Sequence, residues 1–330
     1  MGDAFCSTEW YEAWSETFDR PVDLEGASLI PLIRSVRLVG PLRIRVLKAM
    51  VNDHTPWLDL PVSDTSPHSS RWVYRALWLA RADVLVLPLL RRRRSTQAVL
   101  PPGLAVRWQA TEQSPLVNCV GSWDAYWQSR GSRTRAEWAR AERRLQSDGF
   151  MLACHTSEAG LDAALDDAFA IEADSWKGDQ GSAIRQDPKL ERFYRRVARD
   201  WARRGLLRLY FLQDGERRIA FQLCALDGRQ LVSLKIGFRR AFARQGPGQA
   251  LQLMILRELF ADPDVERFDM LGPATEHKMK WATGAEQLWT VRCYRPGLRG
   301  CVAALRWSVL PALRARLRGP RAPQRVAEAG

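Results

Sequence analysis

The stretch Leu231–Phe260 constrains the fold of this chain more than any other. Leu231, Val232, Leu234, Ile236 and Phe238 make an apolar, β-leaning run, followed by Arg239–Arg244 and then Gln245-Gly246-Pro247-Gly248-Gln249-Ala250. A helical run from Leu251 to Phe260 completes the unit, which reads as strand, glycine-bearing turn and helix. Glycine lets backbone approach a ligand closely, and unpaired N–H groups at a helix start present about half a positive charge. A pyrophosphate suits such a place, and flanking arginines add charge. Turns of this kind also join strands to helices with no ligand present, so the neighbouring elements decide.

A chain of 330 residues can form one large domain or two ordinary ones. Fourteen tryptophans point to well-filled cores. No apolar run approaches the ~20 residues that span a bilayer. The start, Met1-Gly2-Asp3-Ala4-Phe5-Cys6, lacks a basic segment and an apolar signal core, so a cytoplasmic location is expected. The six cysteines are scattered without C-x-x-C, and Cys154-His155 are adjacent rather than at zinc-clamp spacing; neither a metal nor a disulfide framework is expected. The net charge of +13 is nearly all arginine. It would attract phosphate-bearing ligands, nucleic acid or anionic membrane alike and does not choose among them. Arg91–Arg94, after a strand-like run, reads as a solvated loop.

The first half alternates elements. Leu42–Leu47 alternates with period two as a strand, Asn52–Asp59 is a loop, Ser69–Ala80 a helix and Asp83–Pro88 a short buried strand. That β-loop-α-β unit has no glycine in its loop, so no phosphate cradle is expected there. Trp123–Arg130 and Arg133–Gln146 read as a helix pair ended by Ser147-Asp148-Gly149. Then come a strand (Phe150–His155), a helix (Gly160–Trp176) and a helix opened by Asp187-Pro188 and stopped at Gly205. Three strands follow, Leu206–Leu212, Arg218–Leu226 and Leu231–Phe238, joined at Asp214-Gly215 and Asp227-Gly228, a strong hairpin signal. After the glycine turn and its helix come a strand (Val265–Met270), a helix (Thr275–Thr283) and a last strand (Gln287–Tyr294). The class is α/β, an α+β arrangement around a mixed sheet.

Strand, hairpin, strand, phosphate turn, helix, strand is the order of a GNAT acyltransferase, and the motifs carry the resemblance further. Gln245-x-x-Gly248-x-Ala250 fits the GNAT acyl-CoA loop. Glu172–Gly178, Phe238-x-x-x-Phe242-Ala243-Arg244, and Phe268–Gly272 followed by His277-Lys278-x-x-Trp281 resemble the CelD/BcsL-like and FemAB-like branch, whose members join two GNAT-like halves. That branch commonly has Tyr where this chain has Phe238-Arg239 and His277, and Gly-Asp-Glu where it has Gly272-Pro273-Ala274, which removes an acidic base from that loop. The resemblance covers about Arg133–Pro296 strongly and Phe5–Leu116 more weakly. It implies a tandem GNAT fold: an N-terminal half over 1–120, a helical connector over 121–149 and a C-terminal half over 150–297; it is absent from the basic tail over 298–330, where Pro, Arg and Ala from Gly319 on predict a disordered end. It implies an acetyl-CoA or longer acyl-CoA co-substrate and direct transfer to an amine or hydroxyl of a small-molecule or saccharide acceptor. The family context is exopolysaccharide or cellulose production.

The chemistry asks for three things. A pyrophosphate cradle would come from Gln245, Gly246, Gly248, Gln249 and Ala250, with Arg244 or Arg240 as counter-charge. A base must take the acceptor's proton, and the candidates are Glu172, Asp269, Glu276 and His277; a water relay would leave no single base. A cleft anchor would come from Lys278 with Trp281, at i, i+3 on one helix face, and from Trp176 with Lys177. No Ser-His-Asp or Cys-His arrangement is readable, which disfavours an acyl-enzyme.

In the tail, Val302, Leu305, Val309, Leu313 and Leu317 fall near one stripe with arginines mostly off it, and Pro311 would kink the helix. Such a helix suits either an anionic membrane or the protein body; a membrane contact would make the protein peripheral at the inner membrane. Two competitors stand beside the acyl-CoA reading. One is a FemAB-like transferase drawing on aminoacyl-tRNA, the single reading that involves tRNA; DNA is not expected. The other is a non-catalytic GNAT-like binding or regulatory module.

Overall fold

The computed structural model describes residues 4–24, 26, 28–60, 71–92, 100, 105–175 and 183–318. In chain order they form α1 (Thr8–Thr17), β1 (Leu32–Val39), β2 (Leu42–Ala49), α2 (Arg71–Leu79), β3 (Val84–Arg91), β4 (Ala105–Asn118), α3 (Trp123–Gln128), α4 (Ser132–Ser147) and β5 (Met151–His155). There follow α5 (Leu161–Ala173), α6 (Pro188–Arg203), β6 (Leu207–Asp214), β7 (Arg217–Asp227), β8 (Gln230–Phe238), α7 (Pro247–Ala261), β9 (Arg267–Asp269), α8 (Glu276–Trp281), β10 (Gly284–Tyr294), α9 (Leu298–Ala304) and α10 (Leu310–Arg318). Contacts divide the chain into two units, neither a single run of sequence. The first takes Met1–Arg20, Asn52–Leu58 and Thr111–Leu288; the second takes Pro21–Val51, Asp59–Ala110 and Trp289–Gly330.

In the first unit the strands lie in the order β10-β4-β9-β8-β7-β6-β5. Both Asp-Gly turns close as expected, with Gly215 and Gly228 at positive φ. β7 is buried at seven successive positions, Ile219–Ala225, because helices cover both faces of the sheet. Successive strand residues point to opposite faces, and β8 shows it: Gly237 abuts Glu172 of α5, whereas Phe238 lies against Gly248 of α7. Asp187 caps α6 by accepting from the Lys189 N–H, and Pro188 sits at the first helical position. The buried face of α6, Leu190, Phe193, Tyr194, Val197 and Trp201, meets α1, which the sequence pattern had not marked: Trp201 stacks on Trp10 at 6.2 Å and donates to the Ala4 carbonyl.

The second unit orders its strands β1-β2-β3-β10-β4. β2, α2 and β3 form the expected crossover, with Val46 and Lys48 in parallel register with Val84 and Val86. Asp83 locks it by accepting from the Arg45 N–H at 2.8 Å and pairing with the Arg45 guanidinium. Arg91–Arg94 does not begin as a solvated loop. Arg91 is buried at the end of β3 beside Asp59, and Arg92 lies over the rings of Trp108 and Trp289. Arg93 and Arg94 are outside the described residues.

One contact positions the glycine turn. α4 packs along α7, and its Glu142, buried, accepts two bonds from the Arg257 guanidinium at 2.6 and 3.1 Å. Arg257→Met would leave that carboxylate buried without its cation and is expected to cost about 1–3 kcal/mol in urea unfolding. Adding Glu142→Leu should recover most of the loss, because both charges are then gone; a double variant no better than the single would show that the pair is not what holds α4 on α7.

Candidate functional site

The site is built around the place where two parallel strands separate. β8 and β9 share three register pairs, Gln230–Arg267, Leu231–Phe268 and Val232–Asp269, and β9 accompanies β8 no further. β8 continues to Phe238 against β7, while the chain after Asp269 bends toward β4. There the Met270 N–H donates to the Pro115 carbonyl at 3.0 Å, and Leu271 takes a left-handed conformation, φ 56°. Asp269 organises this bend. Fully buried, it accepts from the Ser114 hydroxyl, the Leu271 N–H at 2.8 Å and the Gln230 amide at 2.9 Å. A carboxylate committed to three donors is fixed in place, so Asp269 is a positioning group here rather than an acceptor of a substrate proton.

The residues after the bend are also engaged. The Lys278 ammonium donates to the Leu271 and Gly272 carbonyls at 2.8 and 3.1 Å, which braces the loop. Trp281 is buried and stacks flat on Trp138, with ring centroids 3.3 Å apart. The i, i+3 spacing is real, yet one member belongs to the loop and the other to the core, so the Lys278–Trp281 anchor is not assembled. Glu276 is exposed in the first turn of α8. His277 is exposed beside it; desolvation, then the charges of Lys280 and Lys278, lower its pKa against the opposing charge of Glu137. Trp176 and Lys177 lie outside the described residues.

The glycine turn is wound tighter than its sequence suggests. A 3-10 turn over Arg240–Gln245 leads to Gly246, and α7 begins at Pro247 rather than Leu251, so Gly248, Gln249 and Ala250 form its first turn. Gly246 has φ 72°, and a Cβ there would sit 3.1 Å from that of Ala141. Both conformation and space demand glycine. The Ala250 N–H is taken by the Gly246 carbonyl, Pro247 has none, and no side chain caps the helix. The N–H groups of Gly248 and Gln249 are therefore the first-turn donors, at the positive end of the helix. The Gln245 Oε1 is buried there without a partner, Arg244 is exposed, and Arg144 of α4 reaches the Arg244 carbonyl. Gly248 differs from Gly246: a Cβ would meet only the Phe238 ring, at 3.6 Å.

The opposite face of β8 carries a polar cluster that the sequence did not reveal. A Cβ on Gly237 would lie 2.8 Å from the Phe221 ring and 3.2 Å from the Glu172 α-carbon, so glycine lets α5 seat against the strand. Glu172 is fully buried and its Oε2 accepts from the Ile184 N–H at 2.9 Å. Tyr194, also buried, has its hydroxyl 3.1 Å from His54 Nδ1, and the Lys235 ammonium lies 5.1 Å from the centre of its ring. Burial, followed by the charge of Lys235, holds His54 at about 4, with Asp53, Glu172 and Asp187 opposing. Burial and then the Glu172 charge push the Tyr194 phenol well up. At neutral pH the cluster thus holds a neutral imidazole, a protonated phenol and a cation. Lys235 and Gly237, two apart on β8, place it beside the strand that leads to the glycine turn.

Residues 132–279, all within the first unit, match the family described as an acetyltransferase (GNAT) domain. The fold is correspondingly a GNAT-like mixed α/β fold. Among solved structures, FemX resembles the chain with a TM-score of 0.57 and 11% identity, over 90% of this chain and 93% of its own. L-PGS from Bacillus licheniformis gives 0.51 and 12%, over 96% and 98%. The DUF2156 C-terminal domain of an Agrobacterium fabrum protein named for lysylphosphatidylglycerol synthesis gives 0.52 and 12%, over 91% and 97%. Identities this low show the fold alone. No curated protein sequence matches the chain.

The His54 environment makes stability depend on pH. The folded pKa, about 4, lies below the ordinary 6.5, so the unfolded chain binds the proton more readily. This contribution is complete above pH 6.5 and is lost as pH falls toward 4, amounting to at most about 3 kcal/mol. His54→Gln should flatten that part of the profile in denaturant titrations at a series of pH values. An unchanged slope would mean that His54 is solvated and outside the cluster.

Proposed function

We propose that the first unit transfers an acyl group directly from an acyl-CoA to an amine or hydroxyl acceptor. The observation that carries this reading is the parting of β8 from β9 after Val232, on the strand that runs on to Phe238 and leads into the uncapped glycine start of α7. Between parting strands an extended polyamide can lie along β8 over Ser233–Phe238 and hydrogen-bond as an added strand would. The pantetheine arm of CoA has that chemistry. Its pyrophosphate would then meet the N–H groups of Gly248 and Gln249, with Arg244 and Arg144 as counter-charges.

The acceptor's nitrogen or oxygen attacks the thioester carbonyl, the C–S bond breaks, and the acceptor's proton must leave. Glu172 is the proposed recipient: it is buried against Gly237 of β8, and its charge acts on the Tyr194 phenol, whose hydroxyl pairs with His54. The His277–Glu276 pair is exposed and less suited to hold a proton away from water. For the context we propose polysaccharide or cell-envelope metabolism, in line with the CelD/BcsL-like resemblance.

The likeness to FemX and L-PGS favours a second reading, in which the donor is an aminoacyl-tRNA. Thermal melting separates the two. A ligand at about a hundred times its Kd adds about 2.7 kcal/mol, enough to raise the melt by several degrees. Acetyl-CoA or a longer acyl-CoA is expected to do so, and Gly248→Glu to abolish the shift by placing a carboxylate at the anion end of the helix. Gly248→Ala has room beside Phe238 and should fold and bind as before. A shift with aminoacyl-tRNA and none with any CoA would transfer the proposal to the second reading; binding of acyl-CoA without turnover on any acceptor would leave a binding module.

A further inference from the structure

The second unit carries a feature that acyl transfer in the first does not use. It contains 22 Lys and Arg against 6 Asp and Glu, a net +16, whereas the rest of the chain has 28 against 31. Within it lies a groove of about 520 Å³, inside the ~300–1,000 Å³ range of small-molecule pockets.

Strand register builds the floor. Ser35 of β1 lies opposite Val46 of β2, and Lys48 lies opposite Val86 of β3. These side chains share one sheet face, which Arg37, two residues beyond Ser35, shares with them. Arg292 and Tyr294 of β10 also stand two apart, and the Tyr294 hydroxyl pairs with that of Ser308 at 2.7 Å. That bond holds a π turn, Leu305–Val309, over the sheet. Arg306, Trp307 and Pro311 thereby become the wall facing the floor.

Three guanidinium groups from distant parts of the sequence thus line one cavity, and no carboxylate is among the lining residues. Neither Arg37 nor Arg306 makes an ion pair among the described residues, and Arg292 donates to a neutral acceptor, the Gln109 Oε1, at 2.7 Å. Lys48 adds positive charge, although it has a partner of its own. Val46, Val86, Trp307 and Pro311 supply apolar wall between the charges. A cleft lined by one sign of charge within such walls concentrates its field. Guanidinium is also weakly hydrated, and its fork matches the oxygens of a phosphate.

We propose that this groove binds a small organic phosphate, with the dianionic group on Arg37, Arg292 and Arg306 and a ring or alkyl body against Trp307 and the valines. Charge and wall together select that class. A neutral metabolite would leave the arginines unused, and a bare inorganic anion would leave the apolar wall uncovered. The groove belongs wholly to the second unit, so the inference stands whatever the donor in the first proves to be.

Calorimetric titration of the full-length protein with AMP, octyl phosphate, adenosine and inorganic phosphate tests it. AMP or octyl phosphate should bind at one per chain, at least about tenfold more tightly than inorganic phosphate, and the better of the two tells a ring from an alkyl body. Adenosine, lacking the charge, should bind at least about tenfold more weakly than AMP if the body is a ring. Arg37→Gln with Arg306→Gln should weaken the phosphate ester by roughly tenfold or more at an unchanged melting temperature. Gly248→Glu, in the first unit, should leave this binding as it was. In the unmodified protein the same ester should shield Arg306 from a dicarbonyl reagent, read by peptide mass spectrometry, which keeps the test valid should the double variant fail to fold. Esters that bind no better than inorganic phosphate, binding lost with Gly248→Glu but not with the arginine pair, or Arg306 modified as fast with ester as without would each overturn the proposal.

Discussion

Three register pairs between β8 and β9, and no more, determine how the first unit can work. Parallel strands gain from pairing along their length, so ending at Val232–Asp269 needs something to draw β9 aside. Asp269 does this with a single carboxylate: it holds Gln230 on β8 and Ser114 on β4 while accepting from Leu271 beyond the bend. Lys278 then ties the bent segment down by its carbonyls. The opening is thus a product of fully satisfied polar groups, and such groups are stable in a core where half-satisfied ones are not.

β8 converts that opening into two kinds of chemistry by its alternation. Lys235 and Gly237 face α5 and α6, where carboxylate, phenol and imidazole gather; Phe238 faces α7 and abuts Gly248. A strand that has lost one neighbour can serve both faces at once, the glycine turn at its end and the polar cluster along its side. The two glycines involved differ in kind. Gly246 is needed for its backbone conformation, Gly237 for the room it leaves α5.

What the sequence disclosed follows from the range of each signal. The hairpins at Asp214-Gly215 and Asp227-Gly228 and the turn at Gly246 are local, written in a few consecutive residues, and could be read directly. The pairing of His54 with Tyr194 spans 140 positions and has no local mark. β4 escaped notice because its alternation is interrupted by Pro115 and by polar residues such as Gln109, Glu112 and Gln113. For Lys278 and Trp281 the helical spacing was legible, but the partners that commit them, two carbonyls and Trp138, were not. Glu172 was singled out by motif; its burial beside Gly237 needed the fold.

The charge of the chain gains meaning only once it is divided. Arginine is abundant throughout, 23 residues in the first unit and 21 in the second, which is what a bias in base composition would produce. The carboxylates behave differently, 31 against 6, and a bias toward arginine does not remove them. In the first unit they neutralise the arginines in pairs such as Arg195 with Glu191, Arg199 with Asp162 and Arg257 with Glu142. The second unit has too few to do so, and the self-repulsion of its surplus charge is a cost that the packing of its core has to outweigh.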